Sequence, residues 1–200
     1  MIEVYVDSSL FDVVFQNTKK WVEEVVIGLN LCPFAKKSWN RGAWRIDILE
    51  EDQHLPSLNL IIAEIESAIP SFKSGEIENQ LIALPRCKDS FIPFLNLSSL
   101  VEMELEVRGH LEEVQMIVFH PEFRFEGEAK NARGNYVNRS PYPTLHILKK
   151  EAMDEIVAVH GEEIGLELSM NNNTFLSSLN EKEFEVKILS YIKNSNWPLA

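Results

Sequence analysis

The sequence predicts an α/β protein: a small, mainly parallel sheet flanked by helices, folded as one domain over residues 1–200. Three observations carry that expectation. Strand-like runs recur at Ala43–Leu49, Leu81–Leu84 and Val114–Phe119. A stretch of helical periodicity separates each run from the next. Crossover helices of that length favour parallel neighbours and a right-handed connection.

Taken in order, Ile2, Val4 and Val6 alternate with polar or aromatic residues and predict a short strand. A helix follows from about Leu10 to Ile27, with Asp7, Ser8 or Ser9 as its cap and Leu10, Val14, Trp21 and Val25 on one face. Gly28 is placed to end it in a left-handed conformation. Pro33 denies Cys32 a comfortable helical backbone and predicts a bend after the helix. In Ala43–Leu49, Trp44, Ile46 and Ile48 share one face and Arg45 and Asp47 the other. Leu58, Ile61, Ile62, Ile65, Ala68 and Ile69 draw the apolar stripe of a second helix from about Ser57 to Ile69. Leu81–Leu84 is too short for a helix and reads as a buried strand.

Asp89 or Ser90 caps a third helix reaching Val107, with Pro93 in its first turns and Gly109 as its stop. Val114–Phe119 is the next strand, closed by His120-Pro121 because proline cannot continue a central ladder. The 120–140 segment is a long loop, and its aromatic and arginine content predicts that it is ordered. A helix is then expected from Pro141–Thr144 to about Val159, burying Leu145, Leu148, Ala152 and Ile156. Asn180 and Glu183 give a capping signal for a last helix carrying Phe184, Ile188 and Tyr191.

Composition narrows the function classes. At 45% hydrophobic and 25% charged, the chain resembles an ordinary soluble protein. Its net charge of −12 argues against non-specific nucleic-acid binding and against docking on an anionic membrane. No apolar run approaches a transmembrane span, and the N-terminus lacks a signal pattern, so the expected location is cytoplasmic. Cys32 and Cys87 make no disulfide framework. No sequence feature fixes an oligomeric state.

Charge is distributed against this background. His120–Lys150 holds six Lys or Arg and three Glu, whereas the remainder carries 13 basic and 28 acidic side chains. A basic cluster in an acidic protein marks a place for a small anionic ligand. Asn138-Arg139-Ser140-Pro141 leads into the expected helix start, where dipole and free amides favour anions. Arg139 can grip a carboxylate or phosphate with two nitrogens, helped by Arg133, Asn138 and Ser140. The bland alternative is a rigid, proline-rich lead-in with Arg139 tied to a local carboxylate such as Glu126.

Cys32 is the candidate nucleophile, with His120 or His146 as base. Cys-Pro-Phe-Ala has the Cys-Pro-X-X form of a redox helix start, but Cys32 follows a helix and lacks a second cysteine nearby. A packing role at the helix exit is the alternative. His146, on the first turns of the expected helix, would have its pKa depressed by Lys149 and Lys150. Cys32, His120, His146 and Glu122 match none of the tight zinc spacings, so no metal is expected. No Gly-rich phosphate loop or nucleophile elbow is present, and no cofactor is implied.

Together, Gly28-Leu29-Asn30-Leu31-Cys32-Pro33-Phe34-Ala35, Phe119-His120-Pro121 and Asn138-Arg139-Ser140-Pro141-Tyr142-Pro143-Thr144-Leu145-His146 resemble a bacterial family known only as a domain of unknown function. The likeness spans roughly Trp21 to Met153. The family usually continues Leu-Arg-Glu after the second histidine, where this chain has Leu148-Lys149-Lys150-Glu151. The resemblance implies a single-domain cytoplasmic protein and brings no activity with it. Two functional readings follow: an enzyme acting on a small carboxylate or phosphate substrate, or a non-catalytic module that binds a small anion or a protein.

Overall fold

The computed structural model describes residues 8–50, 57–87, 90–193 and 195–197. The strand expected at Ile2–Val6 lies outside them. Among the described residues are eight α-helices and four strands, so the α/β class holds. β1 (Trp44–Ile48), β2 (Asn79–Ala83) and β3 (Val114–Phe119) are the three expected strands, and they belong to one sheet. The fourth, β4 (Thr144–Lys149), occupies the place where a helix was expected.

That strand changes the sheet. The order is β1-β2-β4-β3. β1 and β2 are parallel, but β4 runs antiparallel to both β2 and β3. The sheet is therefore mixed, not mainly parallel. β4 fills the gap between β2 and β3, which do not pair with each other. The expected helix survives only as its second half, α5 (Lys150–His160), which begins directly where β4 ends.

Alternation along the strands divides the core in two. On one face Ile82, Leu145 and Ile147 pack against α3 (Leu58–Ser74) and α4 (Phe91–Val107), meeting Ile61, Phe94 and Val101. Each large apolar side chain enclosed there contributes roughly 1.5–3 kcal/mol. On the other face Trp44, Leu81 and Phe119 meet Trp21 and Val22 from the first helical segment and Leu176 and Phe184 from the C-terminal one. The polar edge of β1 follows the same rule: Arg45 reaches Glu64 on α3, and Asp47 accepts from Gln80.

The first helix, α1 (Ser8–Trp21), continues as a π-helical turn over Val22–Ile27. Gly28 is right-handed, with φ −62°, and the left-handed residue is Asn30, with φ 57°. Glycine is required at 28 for a different reason. The widened turn draws in the Glu24 carbonyl, and a Cβ at 28 would lie 2.4 Å from its oxygen. After the bend at Asn30–Phe34 the chain enters α2 (Ala35–Asn40), so Cys32 precedes a short helix as well as following a long one. Beyond α5 come α6 (Ile164–Ser178), α7 (Glu181–Phe184), a π-helical turn over Glu185–Leu189, and α8 (Ser190–Lys193). Asn180 and Glu183 form the expected capping box on α7.

A candidate ligand cavity on the second face of the sheet

A cavity of about 390 Å³ lies on the second face of the sheet. Its floor is Trp44, Asn79, Leu81, Phe119, His146 and Leu148. Its walls come from the end of α1, the start of α2, and from α5 and α6, whose Met153, Ile156 and Leu168 face the sheet residues. The lining is mostly apolar, and the polar residues in it are Cys32, Ser38, Glu78, Asn79, Asn138, His146, Lys149, Ser169 and Asn172. The volume falls in the range of small-molecule sites.

His146 is held by a chain of hydrogen bonds that runs in one direction from the Ala35 carbonyl. The Ala35 carbonyl can only accept, so the Ser38 hydroxyl donates to it, at 3.1 Å. Ser38 Oγ then has only acceptor capacity, and it receives the Trp44 Nε1–H at 2.8 Å and the Asn79 Nδ2–H at 3.2 Å. That turns Asn79 Oδ1 toward His146, whose Nε2–H donates to it at 2.9 Å. The ring is therefore the Nε2–H tautomer, and Nδ1 keeps its lone pair without a partner among the described residues. Burial pushes the His146 pKa down to about 3. The lysines are not the cause: β4 geometry places His146 inside the protein, opposite Leu81 and Ile117, and the Trp44 ring stacks on it at 5.3 Å.

Cys32 lines the same cavity. Burial pushes its thiol pKa up, and the amides of Ala35 and Phe34 aimed at the sulfur offset this only in part. The bend that carries it is fastened by Asn172 of α6, whose Nδ2–H donates to the Leu31 carbonyl at 2.8 Å. Asn138 is the third expected site residue at the cavity, and its amide nitrogen donates to the Val118 carbonyl at 3.4 Å.

The other expected site residues are elsewhere. His120 is fully enclosed among Phe91, Phe94 and Trp197, and its Nδ1 accepts from the Glu122 amide at 3.0 Å. Arg139 is 7% exposed and donates to the carbonyls of Phe123 and Lys130, at 3.1 and 2.7 Å, with its guanidinium 4.1 Å from the centre of the Tyr136 ring. It does not pair with Glu126. Arg133 donates to the Leu176 and Leu179 carbonyls and pairs with Glu181 at 2.6 Å, fastening the loop to the end of α6. Ser140 donates to the Tyr142 carbonyl. None of these four lines the cavity. The helix start expected to hold an anion beside Arg139 is absent, because Thr144 begins a strand.

The sequence reading missed the residues that complete the cavity. Asn79 and Ser38 carry no local signal, since each matters only through a partner distant in the chain. Lys149 was visible as a charge; the structure places it among the lining residues, with its Nζ beside Gly75 and paired with Glu151 at 2.6 Å. Among the described residues, no three His, Cys, Asp or Glu side chains gather closely enough to hold a metal ion, and no helix is long and apolar enough to cross a membrane.

Fold and cavity together define a mixed-sheet α/β protein with an apolar chamber that holds one cysteine and one neutral histidine. Over residues 13–186 the chain matches the family described as "Protein of unknown function (DUF1415)", and it belongs to that family. No curated protein and no solved structure matches it.

Proposed function

We propose that the protein binds a small molecule with an apolar body and one anionic group in the cavity on the second face of the sheet. One observation carries the reading. Three segments far apart in the chain, bearing Cys32, Asn138 and His146, converge on a single apolar chamber large enough for a small ligand. Lys149 is the basic residue among those that line the cavity; its Nζ lies beside Gly75 and on Glu151, and turns inward to meet the ligand's acidic group. Its partner Glu151 is 70% exposed while Lys149 itself is 19% exposed, so the carboxylate side of the pair is open to solvent and a ligand carboxylate can compete for the ammonium. The Nδ1 lone pair of His146 is an acceptor for a ligand donor.

A catalytic reading, with Cys32 as nucleophile and His146 as base, has one observation in its favour: the two amides aimed at the sulfur. It ranks second. A protonated thiol and an imidazole that resists protonation make a weak pair unless the ligand alters them.

The test is a fluorescence titration with anilinonaphthalene sulfonate, an apolar anion. The native chain is expected to bind it saturably at one site. Leu168→Trp, which fills the chamber, abolishes the signal. Lys149→Met weakens binding about tenfold, the scale of one charge-assisted contact, and leaves a neutral anilinonaphthalene probe unaffected. An unsaturable signal, or one that Leu168→Trp does not change, overturns the proposal.

A further inference from the structure

α4 is apolar on both sides. Phe94, Leu97, Val101 and Leu105 face the core. Ile92, Leu95, Leu100, Met103 and Val107 are exposed, Met103 by 61% and Val107 by 82%. At 3.6 residues per turn these five fall within about 140° of arc, so they form one stripe. The stripe extends about 22 Å at 1.5 Å per residue. Exposed Asn96, Ser99 and Glu106 share that arc, so the stripe is apolar with three polar positions in it; an exposed surface of this kind on one helix is a usual mark of an interface.

The charges at the two ends of this helix are opposite. Beside its N-terminal end, Arg124, Lys130 and Glu122 share a hollow with Ser90, Phe91 and Ile92. Glu102 and Glu106 stand exposed near its C-terminal end. Lys130 pairs with Glu122 at 3.2 Å, but among the described residues Arg124, Glu102 and Glu106 form no ion pair. A surface with Arg124 unmatched at one end, Glu102 and Glu106 unmatched at the other and a largely apolar middle is complementary to itself when one copy is reversed.

We infer that α4 is a homodimer interface, in which the α4 helices of two copies of this chain pack antiparallel about a two-fold axis near Ser99. The register follows from the stripe. With Ser99 on the axis, Leu95 meets Met103 of the second copy, and Ile92 lies level with Glu106 of the second copy. That brings the acidic end of each helix to Arg124 of the other. A two-fold contact repeats each pair, so every favourable match counts twice. Ser99 is small, which lets the helices approach, and its hydroxyl already donates to the Leu95 carbonyl at 3.2 Å, so it adds no unsatisfied donor to the contact.

Sedimentation equilibrium on the full chain, with circular dichroism to confirm folding, tests this. The native chain is expected to dimerise at micromolar concentration. Met103→Lys places a charge inside the stripe, opposite Leu95 of the second copy, and raises the dimer dissociation constant about 100-fold, as loss of a buried contact near the axis does. Arg124→Glu weakens the dimer about tenfold, and adding Glu106→Arg to the same chain restores it. A native chain that stays monomeric, or a dimer unchanged by Met103→Lys, overturns the inference. A double variant that fails to recover overturns the antiparallel pairing.

Discussion

His146 and Asn79 lie 67 positions apart in the chain and meet at 2.9 Å across the β2–β4 ladder. They are diagonal neighbours on one face, since His146 stands opposite Leu81 and Asn79 opposite Leu148. The contact is available only because β4 is inserted between β2 and β3 and because Ser38 fixes which end of the Asn79 amide faces the imidazole. Sheet topology thus sets the tautomer of a buried histidine.

Stability should therefore depend on pH through this one ring. Its folded pKa, about 3, is below the ordinary 6.5, so the unfolded chain takes up the proton first. Its contribution is fully present above about pH 6.5, is lost progressively as pH falls, and stops changing near pH 3. The loss from this single group is at most ~1.4 kcal/mol per pH unit. Urea unfolding at pH 7, 5.5 and 4.5 is expected to show a shallower decline for His146→Leu than for the native chain. Asn79→Asp should act in the opposite sense, because a carboxylate beside Nε2 favours the imidazolium and raises the ring's pKa. Equal slopes in the native and His146→Leu chains would show that the ring does not titrate in this window.

Cys32 makes a separate prediction. Its thiol lies above the ordinary cysteine range because burial outweighs the two amides. Alkylation by iodoacetamide at pH 7 should be slower than for a free cysteine, and the rate should rise with pH to a midpoint above the free-thiol value. Anilinonaphthalene sulfonate in the cavity should slow it further. Fast labelling at neutral pH would instead point to a thiolate and move the catalytic reading into first place.

The sequence made some elements plain and hid others for physical reasons. β3 is found at Val114–Phe119 as expected, because Pro121 enforces its end. The α7 cap was legible because its reciprocal bonds link residues three apart. β4 was hidden because Leu145, Leu148, Ala152 and Ile156 keep a helical period across a strand–helix junction, and a strand buried on both faces shows no alternation. Pro141 and Pro143 resembled a helix start. α6 was hidden by Asn171-Asn172-Asn173, which are poor helix formers, yet Asn172 is what ties that helix to the Cys32 bend. Of the site residues, Cys32, Asn138 and His146 were found together at the cavity, while the partners that orient His146 could come only from the fold.

The basic cluster in the 120–140 loop has a structural use that its composition does not reveal. A long loop leaves backbone carbonyls without ladder partners, and an arginine carries five donors. Arg139 uses two of them on Phe123 and Lys130, and Arg133 reaches Leu176 and Leu179. Arg139→Ala should therefore act on stability. It leaves the Phe123 carbonyl without a donor, leaves the Lys130 carbonyl only the longer bond from Asn135 at 3.4 Å, and removes the guanidinium stacked on Tyr136, a loss of about 2–4 kcal/mol. Arg139→Lys should rescue little, because one ammonium cannot reproduce the planar fork that spans both carbonyls. Thermal melting and sulfonate-probe titration on the same samples separate the two roles. The expected result is a lowered Tm with the probe's dissociation constant unchanged at a temperature where the variant is folded. An unchanged Tm with weakened probe binding would return Arg139 to the ligand site.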